Sequence, residues 1–489
     1  HPTIESMKVR YTKPIQYGSD SSSSTITKLV VDLGSNSLLS SILRPSITHL
    51  SMIVYRDTLN MDTLAKVPSL KRLGIYRYFN QQIEPGTLPS SITRLYLGIS
   101  FNQPITPNSL PQSLTKLEFG WSYDQEFKVG SLPSSLKKLL MDVKYNQTFG
   151  VGVLPAKLKV LKLGLYYNRP FIPGALPTSL QQLTLLGTNY THDLVGEGIL
   201  PSSLLHLRVC TSFKQIAQLK SMALISLHWS GSDWDTSSQT LPMTMASSLR
   251  SLSLNFGFNQ VIDNFLPAGI TKLELGQDYS KPITPGSLPP TLTNLIFGSG
   301  FNHPIEPKTL PNSITDLKFG CYFNQPLTED NLPTGLISLR LRRKFSFDLD
   351  WLPETLVNLE FSDMYQIRLV KCIGNTMARQ SYHFESIKVI DLMQFRESFI
   401  CRYDVDDNVD GLLTEVPAPM VIASDTLYIE MNPEDNDDCY DISTCQQYPT
   451  LGLICCVSFM LHLFPNVNVI EFQATSCIYR LRLIDNNTA

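Results

Sequence analysis

The 489-residue chain is poor in charged residues, which make up 17% of it, and its formal net charge is only -3. This balance argues against a nucleic-acid-binding protein, which normally carries a clear excess of lysine and arginine. Long hydrophobic runs are also missing. The most apolar stretch, 451–464, is about 14 residues long, short of the roughly 20 that a membrane-spanning helix needs. We therefore expect partners other than nucleic acid and membrane.

Catalytic signatures are equally scarce in this sequence. It has no Gly-x-Ser-x-Gly nucleophile elbow, no glycine-rich phosphate loop with a lysine and no kinase catalytic loop. His228 and Asp233 lie close together in sequence, but a lone histidine on a strand is usually a surface or core side chain. We expect a protein that is not an enzyme, with no catalytic, cofactor-binding or metal-binding residues.

Two groups of residues resemble metal ligands without completing a site. The segment 404–415 spaces its acidic residues like a calcium loop, but Val409 replaces the turn glycine and Pro417 blocks the following helix. A solvated acidic loop is the plainer interpretation, and a metal-dependent enzyme using this region is the weakest alternative. None of the nine cysteines has the close spacing of a zinc site, and no secretory signal is visible. Buried thiols in a reducing cytoplasm are the expectation.

The 32 prolines, by contrast, recur in step. The dipeptide Leu-Pro returns mostly every 22 residues, a period typical of solenoid proteins. It begins at residues 88, 110, 132, 154, 176, 200, 241, 266, 288, 310, 332 and 352. An apolar-x-x-Leu-x-apolar pattern follows, as in Leu114, Leu117 and Phe119, and its last two members lie on one face of a short strand. Sixteen such units lie between Ile26 and Phe361.

The second half of each unit reads Phe-Asn-Gln-Pro-Ile-x-Pro-Gly, most clearly from residue 101. Two prolines and a glycine within about eleven residues exclude an α-helix there. One asparagine recurs per turn, and we expect its amide to bond backbone groups of adjacent turns. The sequence thus predicts a solenoid of the leucine-rich-repeat type. It would have one short parallel β-strand per ~22-residue turn and mostly extended, non-helical backs.

The motif Phe-Asn-Gln-Pro-Ile, combined with Leu-Pro-x-Ser-Leu-x-x-Leu-x-Phe-Gly, resembles the FNIP repeat. This repeat is a 22-residue relative of the leucine-rich repeat that abounds in social amoebae and occurs in some giant viruses. The resemblance is clear over 64–362 and weaker over 26–63, and it departs from the pattern at 145–148, which lacks the proline, and at 211–240. It implies a binding scaffold. Some family members resemble substrate receptors that carry an F-box before the repeats.

We predict three segments: degenerate N-terminal turns over 1–63, the FNIP-repeat solenoid over 64–362, and irregular leucine-rich-like turns with a cap over 363–489. Residues 366–489 contain 17 acidic and 8 basic side chains, a net charge of -9. The remaining residues carry a net charge of +6.

Within the third segment, apolar spacing predicts strands near 387–392, 426–431 and 467–472, and a buried helix over 448–463. These last turns would therefore be helix-backed, with 478–484 closing the end. Whether the segment is a separate domain or continues the solenoid stays open.

Strand positions between the apolar residues point outward, so each position forms a column with one side chain per turn. A broad sheet of this kind suits a protein partner better than a small ligand, the alternative being a sheet that is merely solvated. The predicted partner-binding residues are Arg94, Tyr96, Lys116, Glu118, Lys138, Lys162, His206, Arg208, His228, Lys272 and Glu274. An insert at 213–224 has helical spacing and basic residues, which makes calmodulin a further candidate partner.

The sequence therefore predicts a protein–protein interaction scaffold that binds a partner of unknown identity through its parallel sheet. The alternative is the substrate-recognition part of an F-box ubiquitin-ligase receptor, with the F-box upstream of His1.

Overall fold

In the computed structural model, the chain forms two compact units, residues 1–256 and 257–489, which are described separately. The structure describes residues 6–10, 27–33, 42–55, 59–187, 190–194, 196–210, 219, 222–229, 246–254, 257–263, 265–342, 344–361, 386–389, 469–473 and 478–482. Several predicted features lie outside these residues. They are the acidic segment 404–415, the strand 426–431, the helix 448–463 and most of the insert 213–224. The segment boundaries at 63 and 362 stay a prediction.

The first unit is a parallel β-solenoid. Its strands are β1 (Ser6–Arg10), β2 (Lys28–Leu33), β3 (His49–Val54), β4 (Arg72–Arg77), β5 (Arg94–Leu97), β6 (Lys116–Phe119), β7 (Lys138–Leu140), β8 (Val160–Leu163), β9 (Gln182–Leu185), β10 (His206–Val209), β11 (Ser226–Trp229) and β12 (Ser251–Leu254). Each strand pairs in parallel with the next along the chain. A short 3₁₀-helix spans Met61–Lys66.

The repeat sequence explains how each turn enters its strand. Proline of the Leu-Pro pair cannot donate a backbone bond, but its carbonyl accepts one: Leu114 N donates to Pro111 O at 3.1 Å. The serine two residues after each proline links its turn to the preceding one. Ser135, which follows Pro133 by two residues, donates from Oγ to Leu114 O at 2.6 Å. The two inward residues of the strand, such as Leu117 and Phe119, are then buried.

The backs of the described turns are extended, as the proline and glycine content predicts. Their phenylalanine or tyrosine forms a stack with one ring per turn and centroids 5.8–6.3 Å apart. The stacked residues are Phe79, Phe101, Tyr123, Tyr145, Tyr167 and Tyr190. Stacking at this distance adds ring–ring contact to apolar burial, so the back of the solenoid has a continuous core.

The recurring asparagine holds neighbouring turns together. Asn102 N donates to Asn80 Oδ1 at 2.8 Å, and Asp124 N donates to Asn102 Oδ1 at 2.9 Å. The ladder continues from Asp124 to Asn146 and from Asn146 to Asn168. These bonds satisfy backbone N–H groups that have no strand partner, which confirms the structural role predicted for the asparagines.

Unit 2 repeats the same architecture over its described residues. Its strands are β13 (Lys272–Glu274), β14 (Asn294–Ile296), β15 (Asp316–Lys318), β16 (Ser338–Leu341), β17 (Asn358–Phe361), β18 (Ser386–Val389), β19 (Val469–Gln473) and β20 (Ile478–Arg482). Strands β13 to β19 pair in parallel, and β20 closes the series as the antiparallel partner of β19. The strands predicted near 387 and 470 are thus confirmed.

Strands β2 to β17 coincide with the sixteen units found in the sequence. The glycine after a strand allows the turns to approach closely. A Cβ at Gly98 would lie 2.6 Å from Ile75 O, and one at Gly298 would meet the carbonyl of Gly276 in the preceding turn.

Candidate interaction face

The strand register aligns the outward side chains of unit 1 into two columns. Column 1 contains Lys28, His49, Arg72, Arg94, Lys116, Lys138, Val160, Gln182, His206, Ser226 and Ser251. Column 2 contains Val30, Ser51, Gly74, Tyr96, Glu118, Leu140, Lys162, Thr184, Arg208, His228 and Ser253. The predicted face residues of unit 1 therefore lie on one surface.

Six successive strands, β2 to β7, each place a basic or titratable nitrogen side chain in column 1. We call Lys28, His49, Arg72, Arg94, Lys116 and Lys138 the basic ladder. Neighbouring members are about 4.8 Å apart along the sheet, since this is the strand spacing. Burial, and then the charges of Arg72, Lys28 and Arg94, lower the pKa of His49. The ladder therefore creates a positive potential over its own members.

Glu118 is the one carboxylate within the two columns of unit 1. Its Oε2 lies 2.9 Å from Lys116 Nζ, and both side chains are about one-third exposed, at 37% and 34%. An exposed pair of this kind is worth only about 0–1 kcal/mol and is screened by salt. It removes little of the positive charge that Arg72, Arg94 and Lys138 present.

An aromatic pair flanks the ladder, formed by Tyr96 of column 2 and by Tyr76, which lies two residues beyond Gly74 on β4. The Tyr76 ring folds over Gly74, where a Cβ would lie 2.7 Å from that ring. It contacts Tyr96, with ring centroids 4.8 Å apart and planes tilted by 41°. Burial, followed by Tyr76, Glu118 and Asp142, raises the pKa of Tyr96 to about 12. Both rings are half-buried, so they offer an apolar surface beside the cations.

A further apolar patch lies where the strands of unit 1 end. Ile99 and Trp121 occupy the same position in successive turns, since each follows the glycine after a strand. The two turns are joined there by a hydrogen bond from Ser122 N to Ile99 O at 2.9 Å. They are 46% and 47% exposed. Sequence reasoning missed both, although comparing the residue after each strand glycine across the repeats would have found them.

A concavity of about 620 Å³ lies farther along the same face, over strands β8 to β11. Its polar lining includes Lys162, Gln182, Thr184, His206, Arg208 and His228. Four of these were predicted face residues, and Thr184 and Gln182 were not. The structure adds the shape, which arises because a short threonine lies between two long cationic side chains in column 2.

The remaining predicted residues, Lys272 and Glu274, lie on β13 in unit 2. The two outward columns of β13 to β17 carry both signs of charge, with three basic and three acidic side chains. Arg340 Nε and Glu360 Oε2 form an ion pair at 2.6 Å, with side chains 25% and 14% exposed. Over β13 to β17 this face is charge-balanced, unlike the part of the unit 1 face that carries the basic ladder.

Among the described residues, no group of three or more His, Cys, Asp or Glu side chains is arranged to hold a metal ion. Nor does that part of the chain contain a helix long and apolar enough to cross a membrane.

The repeat of this chain also occurs in known proteins. The FNIP Repeat family model matches residues 67–100, 101–144, 145–186, 167–210, 258–300 and 301–344. None of the curated proteins is significantly similar in sequence. The crystal structure of CroV588, described as a novel circular leucine-rich-repeat protein and coming from a giant virus, is 32% identical with a TM-score of 0.53. The match covers 69% of this chain and 53% of CroV588, so the chain spans about half the length of that protein.

A second solved structure, the leucine-rich-repeat protein LIC12759 of Leptospira interrogans, is 20% identical with a TM-score of 0.37. The match covers 67% of this chain and 93% of that protein. The repeated FNIP matches, the parallel strand in every described turn and the giant-virus structure agree with one another. The chain is an FNIP-repeat protein.

Proposed function

We propose that this protein is an interaction scaffold, without catalytic activity, that binds a protein partner through the sheet face of unit 1. The observation that carries the proposal is the basic ladder, which places a lysine or arginine on five of six successive strands beside the Tyr76–Tyr96 pair and Trp121. Tyrosine, tryptophan and arginine are the residues enriched at the energetic centres of protein interfaces.

Charge complementarity indicates the partner's chemistry. A row of cations about 4.8 Å apart attracts a surface rich in aspartate and glutamate, and it accelerates association more than it deepens final affinity. The half-buried tyrosines and the exposed Trp121 then supply the apolar contact that charge alone does not provide. The partner we propose is a protein with an acidic surface that includes apolar anchor residues.

The cytoplasm is the compartment we propose, because Cys321 is an exposed free thiol, which is typical of a reducing compartment. The ubiquitin-ligase receptor is the alternative that shares the same face, and no described residue favours it over a plain scaffold. Recovery of a ubiquitin-ligase adaptor with the intact protein would separate the two.

Charge reversal tests the proposal. The intact chain is used as bait beside a variant carrying Arg94→Glu, Lys116→Glu and Lys138→Glu. The control carries Lys281→Glu, Lys308→Glu and Lys318→Glu, which reverses the same number of charges in unit 2. We expect the ladder variant to lose the proteins that both other baits capture, with unchanged circular dichroism. Equal capture by all three baits would refute this choice of face.

A further inference from the structure

We propose that the concavity over Thr184 binds a phosphate monoester, namely a phosphoserine or phosphothreonine side chain of a partner protein. The proposal deepens the proposed function, since it takes the partner to be a protein. Nothing in the basic ladder requires it, because the concavity uses other strands and different side chains.

The register builds the site. Lys162, Thr184 and Arg208 are direct neighbours in column 2, on β8, β9 and β10. The Cα atoms of Lys162 and Arg208 are therefore about 10 Å apart, two strand spacings. Thr184 is only 7% exposed, so it forms the floor while the two long side chains form the walls. Both cationic heads can reach a group that rests over the threonine.

The charge of this site is not neutralised by the protein. Within the described residues, neither Lys162 nor Arg208 has a carboxylate within ion-pair distance, and the lining contains no Asp or Glu. Unit 2 shows the contrast in an equivalent outward column, where Arg340 is paired with Glu360. The cations Lys162 and Arg208, one on each side of Thr184, repel each other when no counter-charge is present. An anionic ligand between them would remove that repulsion.

The donor set favours a phosphate monoester over a carboxylate. Arg208 alone can satisfy a carboxylate with two parallel N–H bonds, which would leave Lys162 and His206 without an acceptor. A phosphate monoester has about two negative charges and three terminal oxygens, so it can accept bonds from Arg208, Lys162 and a further donor such as His206. Recognition of phosphorylated side chains by clustered basic residues is an established binding mode.

The surroundings favour a protein-borne phosphate over a free nucleotide. The lining contains no Phe, Tyr or Trp, so His206, His228 and Arg208 are the only planar side chains in it on which a base could stack. The concavity lies on the open sheet, and its columns continue through Val160 and Leu140 into the basic ladder. A volume of about 620 Å³ exceeds that of one phosphate group and admits residues on either side of it.

The test uses the full-length chain and degenerate peptide libraries that differ only at a fixed central residue. That residue is phosphothreonine, phosphoserine, threonine or glutamate, and binding is followed by fluorescence anisotropy. We expect the phosphorylated libraries to bind at least tenfold more tightly than the threonine library and to be displaced by inorganic phosphate. The Lys162→Gln/Arg208→Gln variant should lose this preference, since it removes both charged donors of the site.

The matched control is Lys281→Gln/Lys318→Gln, which removes two charges from unit 2 and should keep the preference. Equal binding of phosphorylated and unphosphorylated libraries overturns the proposal, as does a preference that survives Lys162→Gln/Arg208→Gln. ATP and phosphoinositide-containing vesicles form two further arms, and binding confined to either also overturns it. The ladder remains intact in every variant, so capture that depends on Arg94 distinguishes failure of this site from failure of the scaffold function.

Discussion

The ladder of side-chain amides makes a quantitative prediction about stability, which we develop for Asn102→Ala. Asn102 Oδ1 accepts from Asp124 N at 2.9 Å and from Gln125 Nε2 at 3.2 Å, across the boundary between two turns. Alanine removes this acceptor and leaves the Asp124 N–H without a partner in a partly buried position. The substitution therefore acts on the contact between turns and leaves the strands untouched.

The structure sets the size of the effect. A buried donor left unsatisfied costs about 1–3 kcal/mol. Because Asn102 and Asp124 are only half-buried, water can reach part of the gap, so we expect about 1–2 kcal/mol. The chain itself supplies the control, since Asp124 occupies the same ladder position and its Oδ1 accepts from Asn146 N at 2.8 Å. Asn102→Asp should therefore lose less stability than Asn102→Ala.

Two measurements check this prediction. Urea denaturation compares the free energies of unfolding of wild type, Asn102→Ala and Asn102→Asp. Hydrogen exchange followed by mass spectrometry then reports on the Asp124 amide itself. The alanine variant should exchange this amide faster than wild type, and the aspartate variant should protect it. Wild-type protection of that amide in Asn102→Ala would refute the assigned role of the ladder.

Three further predictions follow from the core and the turns. Tyr145→Phe should leave the free energy of unfolding in urea unchanged or raise it by up to about 1 kcal/mol, since the Tyr145 hydroxyl is buried without a partner among the described residues; a clear loss of stability would contradict this. Gly298→Ala should cost about 1–3 kcal/mol because its Cβ would press on the Gly276 carbonyl, whereas Gly150→Ala, with only ordinary contact to Val153, should cost less. Burial first, then Tyr76, Glu118 and Asp142, raise the pKa of Tyr96 to about 12. Tyr96 therefore stabilises the fold fully below its pKa in the unfolded chain, about 10, and this contribution is lost as the pH rises through 12. The difference in tyrosinate absorbance between wild type and Tyr96→Phe, recorded with circular dichroism, should show Tyr96 ionising as structure is lost; ionisation of Tyr96 complete near pH 10 would contradict it.

Much of the fold was predictable because the repeat imposes its own register. Once Leu117 and Phe119 are recognised as inward residues, Lys116 and Glu118 must point outward, and the 22-residue period places them beside Arg94 and Tyr96. The structure confirms these columns strand by strand.

The remaining features depend on departures from the repeat. Strand β4 is two residues longer than β5, which carries Tyr76 onto the face, and only a glycine at position 74 leaves room for its ring. The concavity likewise depends on one short side chain, Thr184, between Lys162 and Arg208. The repeat period predicts which side chains form a column but not how long each side chain is. Neither the position of the Tyr76 ring nor the concavity therefore followed from the motif.

Site-specific photo-crosslinking tests most directly whether the sheet face of unit 1 binds the partner. A photoreactive amino acid is placed at Lys138 on the ladder, at Lys318 on the unit 2 face and at exposed Val151 on the back of a unit 1 turn. We expect irradiation to join the captured partner to the Lys138 position and not to the Lys318 or Val151 position. Adducts from Val151 or Lys318, with none from Lys138, would contradict it.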